Sequence, residues 1–341
     1  MIAFVLLLLP SSGAATAQEA PAIAPAAEIV RRLQSAAEPA AAEALLDELL
    51  ADHRDAPELG RAALLVGRRQ ISLAGERFLR AVAATAGDES ARGFATWSLA
   101  QLLLEFEETL AFLADPELDR GVRDSFIARR GKELVDELAR RGRPALREEA
   151  EALLQNVIDD HYFLDWRKTG YLGAAADAQL FELQRLQIGM VAPEIEGEDE
   201  DGVPFKLTDY RGKIVALDFW GFWCPICVRN LPEERAMVAR HKDDPVALVG
   251  VNSDPKARLT EAARRDRIAW RSFFDGGDAY GPIARQWNVA SWPTIYVLDE
   301  EGVIHLKTED AGEVSRKVEE LLAARKAREA KEGAASRSGR P

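Results

Sequence analysis

An all-helical domain followed by an α/β/α sandwich is the architecture this sequence predicts, and three observations carry the prediction. Residues 25–186 are rich in Ala, Leu, Arg and Glu, with apolar positions recurring at helical spacing. From about Gly189 the texture changes to short β-rich apolar runs separated by helical stretches. The 341 residues are enough for two domains that each bury a core.

Ile2 to Leu9 form an unbroken apolar run, followed by Pro10 to Gly13 and then by Ala15-Thr16-Ala17-Gln18. A short apolar run before a small-x-small step is the pattern of a signal peptide, here 1–17 with cleavage after Ala17. The run falls well short of the ~20 residues that span a bilayer. No Lys or Arg precedes it, and an apolar core helix is the alternative. The expectation is a periplasmic or otherwise extracytoplasmic protein without a transmembrane anchor after cleavage.

Within the helical half, Ile29, Val30 and Leu33, then Leu45, Leu46, Leu49 and Leu50, then Leu99, Leu102, Leu103 and Phe106, mark buried helix faces. Breaks are expected at Glu38-Pro39, from Pro57 to Gly60, at Ala86-Gly87-Asp88, at Asp115-Pro116 and at Gly142-Arg143-Pro144. That gives six or seven helices. Gly60-Arg61-Ala62-Ala63 and Gly93-Phe94-Ala95-Thr96 lie 33 residues apart, near the tetratricopeptide period of about 34. A tetratricopeptide-like array is one reading, and small residues at close helix crossings are the other.

In the second half, over 189–322, short strands flank the acidic turn Glu196–Gly202. Ile214–Trp220 and Val246–Val251 read as buried strands, and helices are expected over Cys224–Arg240 and Leu259–Asp266. Ile295–Asp299 and Val303–Leu306 flank Glu300-Glu301-Gly302 as a hairpin, and Val314–Arg325 closes with a helix. Helix persists to about Glu332 within 323–341, the rest being a polar, disordered tail.

Composition narrows the function. With 44 Lys plus Arg against 57 Asp plus Glu, the net charge is −13, which argues against nucleic acid as the main partner. Two cysteines exclude a multi-disulfide scaffold and an all-Cys zinc site. His53, His161, His241 and His305 show no metal-ligand spacing.

The two cysteines sit in Trp223-Cys224-Pro225-Ile226-Cys227, between a buried strand and a helix. Unpaired N–H groups and the positive end of the helix dipole favour a thiolate at the helix start. Such placement lowers a thiol pKa from about 8.5 to between roughly 3.5 and 7.5. Cys224 is then the nucleophile, and Cys227, one turn on, can close a disulfide or resolve a mixed one. Pro225 suits the first turn, where its missing N–H is not needed. A zinc half-site, two buried thiols and an inert disulfide are the alternatives. Zinc needs two further ligands, and an inert disulfide needs no strand-to-helix placement.

Asp218 lies inside an apolar run, where an ionised carboxylate is costly. A buried carboxyl six positions before Cys224 could accept the proton of Cys227, or it could be satisfied by local hydrogen bonds. Pro293, in Ser291-Trp292-Pro293-Thr294 before a strand, is a cis candidate or an ordinary strand-start proline.

Gly189–Pro193, the turn Asp209-Tyr210-Arg211-Gly212-Lys213, Asp218-Phe219-Trp220, the Trp-Cys-x-x-Cys and Trp292-Pro293-Thr294 occur in this order. Together they resemble the redoxin (TlpA/ResA-like) branch of the thioredoxin superfamily over about 189–322. The resemblance implies a thioredoxin-like fold and a thiol-disulfide oxidoreductase, with Cys224 the exposed attacking thiol and Cys227 the buried resolving one. It puts Asp218 on the family's buried carboxylate and Pro293 on the cis-proline against the disulfide. It makes Trp292 a main-chain contact for a bound substrate strand, alongside Trp223, Pro225 and Ile226. Trp292 is bulkier than the residue usual in thioredoxins, and Pro225-Ile226 differs from the Gly-Pro of the cytosolic proteins.

The implied partners are client proteins with thiols or disulfides and a redox partner, and extracytoplasmic relatives commonly keep client thiols reduced. No organic or metal cofactor is implied, because the dithiol itself carries the electrons. Two rivals remain: a scaffold or binding protein whose helical half acts and whose redoxin module is appended, and a peroxiredoxin-type peroxidase. Peroxidatic sites resemble Pro-x-x-x-Thr-x-x-Cys, and Phe219 to Cys224 contains no Thr.

Overall fold

The computed structural model describes residues 24–36, 39–166, 170–258, 268–277, 279 and 281–338. The signal peptide expected over 1–17 and the helix expected over Leu259–Asp266 lie outside them. By its contacts the chain divides into two compact units, one ending at Arg143 and the other beginning at Pro144.

The described part of the first unit is built of α1 (Ala26–Ser35), α2 (Pro39–Asp52), α3 (Glu58–Arg69), α4 (Leu73–Thr85), α5 (Glu89–Ala114), α6 (Arg120–Arg130) and α7 (Lys132–Arg141). Helix starts follow side-chain caps: Ser72, Asp88 and Asp119 accept the N–H of Gly75, Ala91 and Val122. The α3–α4 break at 70–72 has no Pro or Gly to announce it. The turn is so tight that a Cβ on Gly75 would fall 2.4 Å from the Gln70 carbonyl oxygen. Gly131, at φ 89°, divides α6 from α7. These breaks raise the helix count above the six or seven expected. Gly60 of α3 lies against Ala91 and Phe94 of α5, where a Cβ would meet Phe94 at 3.1 Å.

The second unit begins with α8 (Arg143–Asp160), whose first residue closes the other unit. A short hairpin, β1 (Asp165–Trp166) with β2 (Gly170–Tyr171), precedes α9 (Leu172–Arg185). That hairpin interrupts a stretch expected to be all helix. It also follows that α8 and α9, placed by sequence in the helical domain of 25–186, group with the sheet. Next come β3 (Glu196–Glu198) paired with β4 (Pro204–Lys206), β5 (Ile214–Trp220), α10 (Pro225–Arg240), β6 (Val246–Asn252), β7 (Arg271–Phe274), α11 (Pro282–Gln286), β8 (Thr294–Leu298), β9 (Ile304–Thr308) and α12 (Ala311–Ser338).

The main sheet has the order β7-β6-β5-β8-β9, with β5, β6 and β7 parallel and β8 and β9 antiparallel to their neighbours. Such a mixed five-stranded sheet, covered on both faces, is the thioredoxin-like arrangement the sequence implies. Strand periodicity sends Leu217 and Phe219 to one face with Val249, Phe273, Trp287 and Tyr296. Ala216 and Trp220 go to the other, under Cys227, Leu231 and Met237 of α10 and Val314, Val318 and Leu322 of α12. Asp218, between them in register, faces that second layer. One expectation needs correcting: α12 continues to Ser338, past the Glu332 at which helix is expected to give way to a disordered tail. Ala, Arg, Lys and Glu are strong helix formers, and Glu329 pairs with Arg325 one turn back.

Candidate active site

The site is assembled where β5 ends and α10 begins. Cys224 is the N-cap of α10, at φ −92° and ψ 113°, and its Sγ accepts the N–H of Cys227 at 3.3 Å. Pro225 occupies the first turn without loss of a hydrogen bond. The thiol of Cys224 also donates to the Trp292 carbonyl at 3.3 Å. Both cysteines are free, so the pair is a dithiol.

An exposed attacking thiol was implied by resemblance, and here the structure differs. Cys224 is 4% exposed and Cys227 2%. The reason lies in the flanking indoles: Trp223 and Trp292 meet edge to face at 5.3 Å, and the thiol leans back onto the Trp292 main chain. Trp223, Ile226 and Val228 are themselves exposed and leave an apolar rim beside the dithiol. The Trp292–Pro293 bond is cis, and Thr294 Oγ1 donates to the Ser291 carbonyl at the entrance to β8.

Asp218 is 1% exposed, and its cross-strand neighbours are Gly250 and Ile295, neither of which supplies a cation. Among the described residues Oδ1 accepts no hydrogen bond, which removes the locally satisfied reading for that oxygen. Burial, then the charge of Glu234, then that of Cys224, hold the Asp218 carboxyl well above the usual range. Burial and the hydrogen bond with Cys224 push the Cys227 thiol up as well. A thiol and a carboxyl that both resist ionisation, lodged together, are suited to passing one proton between them.

Three contributors were not found from sequence. Glu234 sits in the run Glu233-Glu234-Arg235, which reads as a solvated face, yet it is 3% exposed. Its signal was periodicity, because Cys227, Leu231, Glu234 and Met237 share one face of α10. Asp254, fully buried after β6, accepts the Phe222 N–H at 2.6 Å, and Ser253 Oγ accepts the Trp223 indole N–H at 3.0 Å. These two bonds fix the loop that delivers Cys224. Gly221 is required there, since a Cβ would lie 2.5 Å from the Trp223 indole nitrogen.

Among the described residues no group of three or more His, Cys, Asp or Glu side chains could hold a metal ion. No described helix is long and apolar enough to cross a membrane.

The AhpC/TSA family model matches residues 188–307. Thiol-disulfide oxidoreductase ResA of Geobacillus thermodenitrificans is 30% identical over 135 residues, which cover 39% of this chain and 76% of that protein. Thioredoxin-like protein YneN of Bacillus subtilis is 32% identical over 144 residues, covering 39% and 80%. The solved thioredoxin domain of a thiol-disulfide oxidoreductase from Bacteroides vulgatus is 27% identical, covering 40% of this chain and 98% of that one, at a TM-score of 0.37. The chain thus carries an AhpC/TSA redoxin domain in its C-terminal region, and through that domain it belongs to the ResA-like thiol-disulfide oxidoreductases.

Proposed function

We propose that this is an extracytoplasmic protein thiol-disulfide oxidoreductase that exchanges the Cys224–Cys227 pair with client proteins. In the reducing direction the Cys224 thiolate attacks a client disulfide, forms a mixed disulfide and releases one client thiolate. Cys227 then gives its proton to Asp218 and attacks Cys224 Sγ. The Cys224–client S–S bond breaks, the second client thiol leaves, and the dithiol has lost two electrons to the client. A redox partner of the same dithiol chemistry restores it. The oxidising direction is the same sequence reversed.

One observation supports this reading above the others: Cys224 caps α10 with its sulfur on the Cys227 N–H, and a buried carboxyl, Asp218, lies near enough for its charge to act on both thiols. The Trp292 carbonyl and Pro293, with Trp223, Pro225 and Ile226, form the client contact, and the apolar rim suits a client cysteine flanked by apolar residues. The helical half recruits clients or the redox partner, and 1–17 directs export. No organic or metal cofactor enters the reaction.

The test is the reduction potential of the pair, equilibrated in glutathione buffers and trapped by alkylation. A value near or below about −250 mV marks a reductant, and one near about −120 mV an oxidant. A pair that never closes a disulfide sinks the catalytic reading and returns attention to the helical unit as a scaffold.

A further inference from the structure

Beneath α10 lie two buried carboxyls where the reaction uses one. Asp218 projects from β5 into the layer that α10 covers, and Glu234 projects into the same layer from α10 itself. Each has an oxygen, Oδ1 of Asp218 and Oε2 of Glu234, that accepts no hydrogen bond among the described residues. The two are close enough for the Glu234 charge to act on Asp218.

The surroundings offer little to neutralise two charges. β6 presents Gly250 opposite Asp218, and β8 presents Ile295. From α12 come Val314, Val318 and Leu322, while its polar Ser315 and Glu319 turn to Glu233 and Arg240. α10 also carries Arg229, Glu233 and Arg240, but the groups of this helix and its cap whose charges couple to the pair are Cys224, Cys227 and Arg235, and only Arg235 is a cation that favours the charged form of Glu234. Two ionised carboxylates in so dry a layer are too costly, and the pair retains a proton.

We propose that Glu234 is a positioning residue for the proton that leaves Cys227: it shares one proton with Asp218 and so governs when Asp218 is free to accept another. The proposal rests on Cys227 being the resolving thiol. The balance is simple. Cys227 loses one proton to the ionised Asp218, the proton already in the pair stays on Glu234, and the Cys227 thiolate displaces the leaving thiolate from Cys224. On re-reduction the proton returns from Asp218 to Cys227.

The experiment follows the full-length protein reacting with 5,5′-dithiobis(2-nitrobenzoate) in stopped flow, across pH. Attack by Cys224 releases one equivalent of the coloured thiolate and resolution by Cys227 a second, so the two steps are read separately. In E234Q the second step should inflect at higher pH, by about 0.3 pH unit or more, because Asp218 then has no neighbour to hold the pair's proton and must lose it to solvent before it can accept one from Cys227. Its plateau should fall severalfold, the first step should stay within about twofold, and E234D should move the profile back toward that of the native chain. A second-step profile that superimposes on the native one, or equal changes in both steps, overturns the proposal. If the native chain itself releases only one equivalent, the resolving role of Cys227 fails and the proposal with it. Should E234Q not fold, D218N serves: the protonated Glu234 carboxyl, followed by infrared absorption against pH, should titrate lower than in the native chain. An unchanged titration there overturns the proposal.

Discussion

The Cys224 thiol is hydrogen-bonded to the main-chain carbonyl of Trp292, a residue 68 positions further along the chain. That bond joins the start of α10 to the start of β8, where the Trp223 and Trp292 rings also meet. Trp292 packs against the cluster that holds Cys224, and with Cys224 4% exposed an incoming disulfide reaches its sulfur only after a local opening. W292A should therefore speed alkylation of Cys224 by iodoacetamide about fivefold, the factor that an opening cost near 1 kcal/mol imposes. Mass-spectrometric counting of alkylated Cys224 peptide over time checks it. An unchanged rate would mean the thiol is reached by another path.

Replacing Asp218 by Asn keeps the shape but removes the carboxyl assigned to take the Cys227 proton. Mixed disulfides should then accumulate, with resolution slowed on the order of a hundredfold and the first attack unaltered. Quenched-flow gels of the covalent adduct report both steps. Loss of both together would point instead to damaged packing in the layer under α10.

Much of the second unit was legible because its strands are apolar runs bounded by turns. Ile214–Trp220 is buried at all seven positions, so its run needs no tertiary knowledge. β7 and α11 were not legible. Arg271-Ser272-Phe273-Phe274 is too short and mixed to declare itself, and Arg271 is there to stack on Phe205 and pair with Asp199. The start of α11 is capped from a distance: Asp275 Oδ1 and Oδ2 accept the N–H groups of Ile283 and Ala284. In the site, Cys224, Cys227 and Asp218 announced themselves by spacing. Glu234 and Asp254 did not, because a charged residue reads as solvated until the facing element is known.

Glu234 also sets a pH dependence of folding. Burial pushes its carboxyl from an ordinary 4.5 up to about 8. A folded value above the unfolded one gives stability that is full at low pH and lost as pH rises toward the folded value. The unfolding free energy from urea titration should thus decline between about pH 5 and pH 8. E234Q, with no proton to lose, should flatten that slope and gain a few kcal/mol over the native chain at pH 8. Parallel curves for the two proteins would show that Glu234 is solvated when folded.

Asp254 carries the loop that delivers Cys224. Its Oδ2 accepts both the Phe222 N–H at 2.6 Å and the Asn252 amide at 3.2 Å, while its own N–H donates to Asn252 Oδ1 at 2.8 Å. Arg258 donates to the Phe222 carbonyl from the other side. D254A strands a buried N–H and an amide, which costs roughly 1–3 kcal/mol for each unsatisfied group. The freed Phe222–Trp223 segment should also loosen the N-cap geometry of Cys224, so the first step, attack, should slow more than the second. S253A removes only the acceptor of an exposed indole N–H and should cost about 1 kcal/mol or less. Urea titration beside the two-step release assay separates these effects. Equal slowing of both steps in D254A would mean that Asp254 supports the fold of the sheet edge rather than the placement of the attacking thiol.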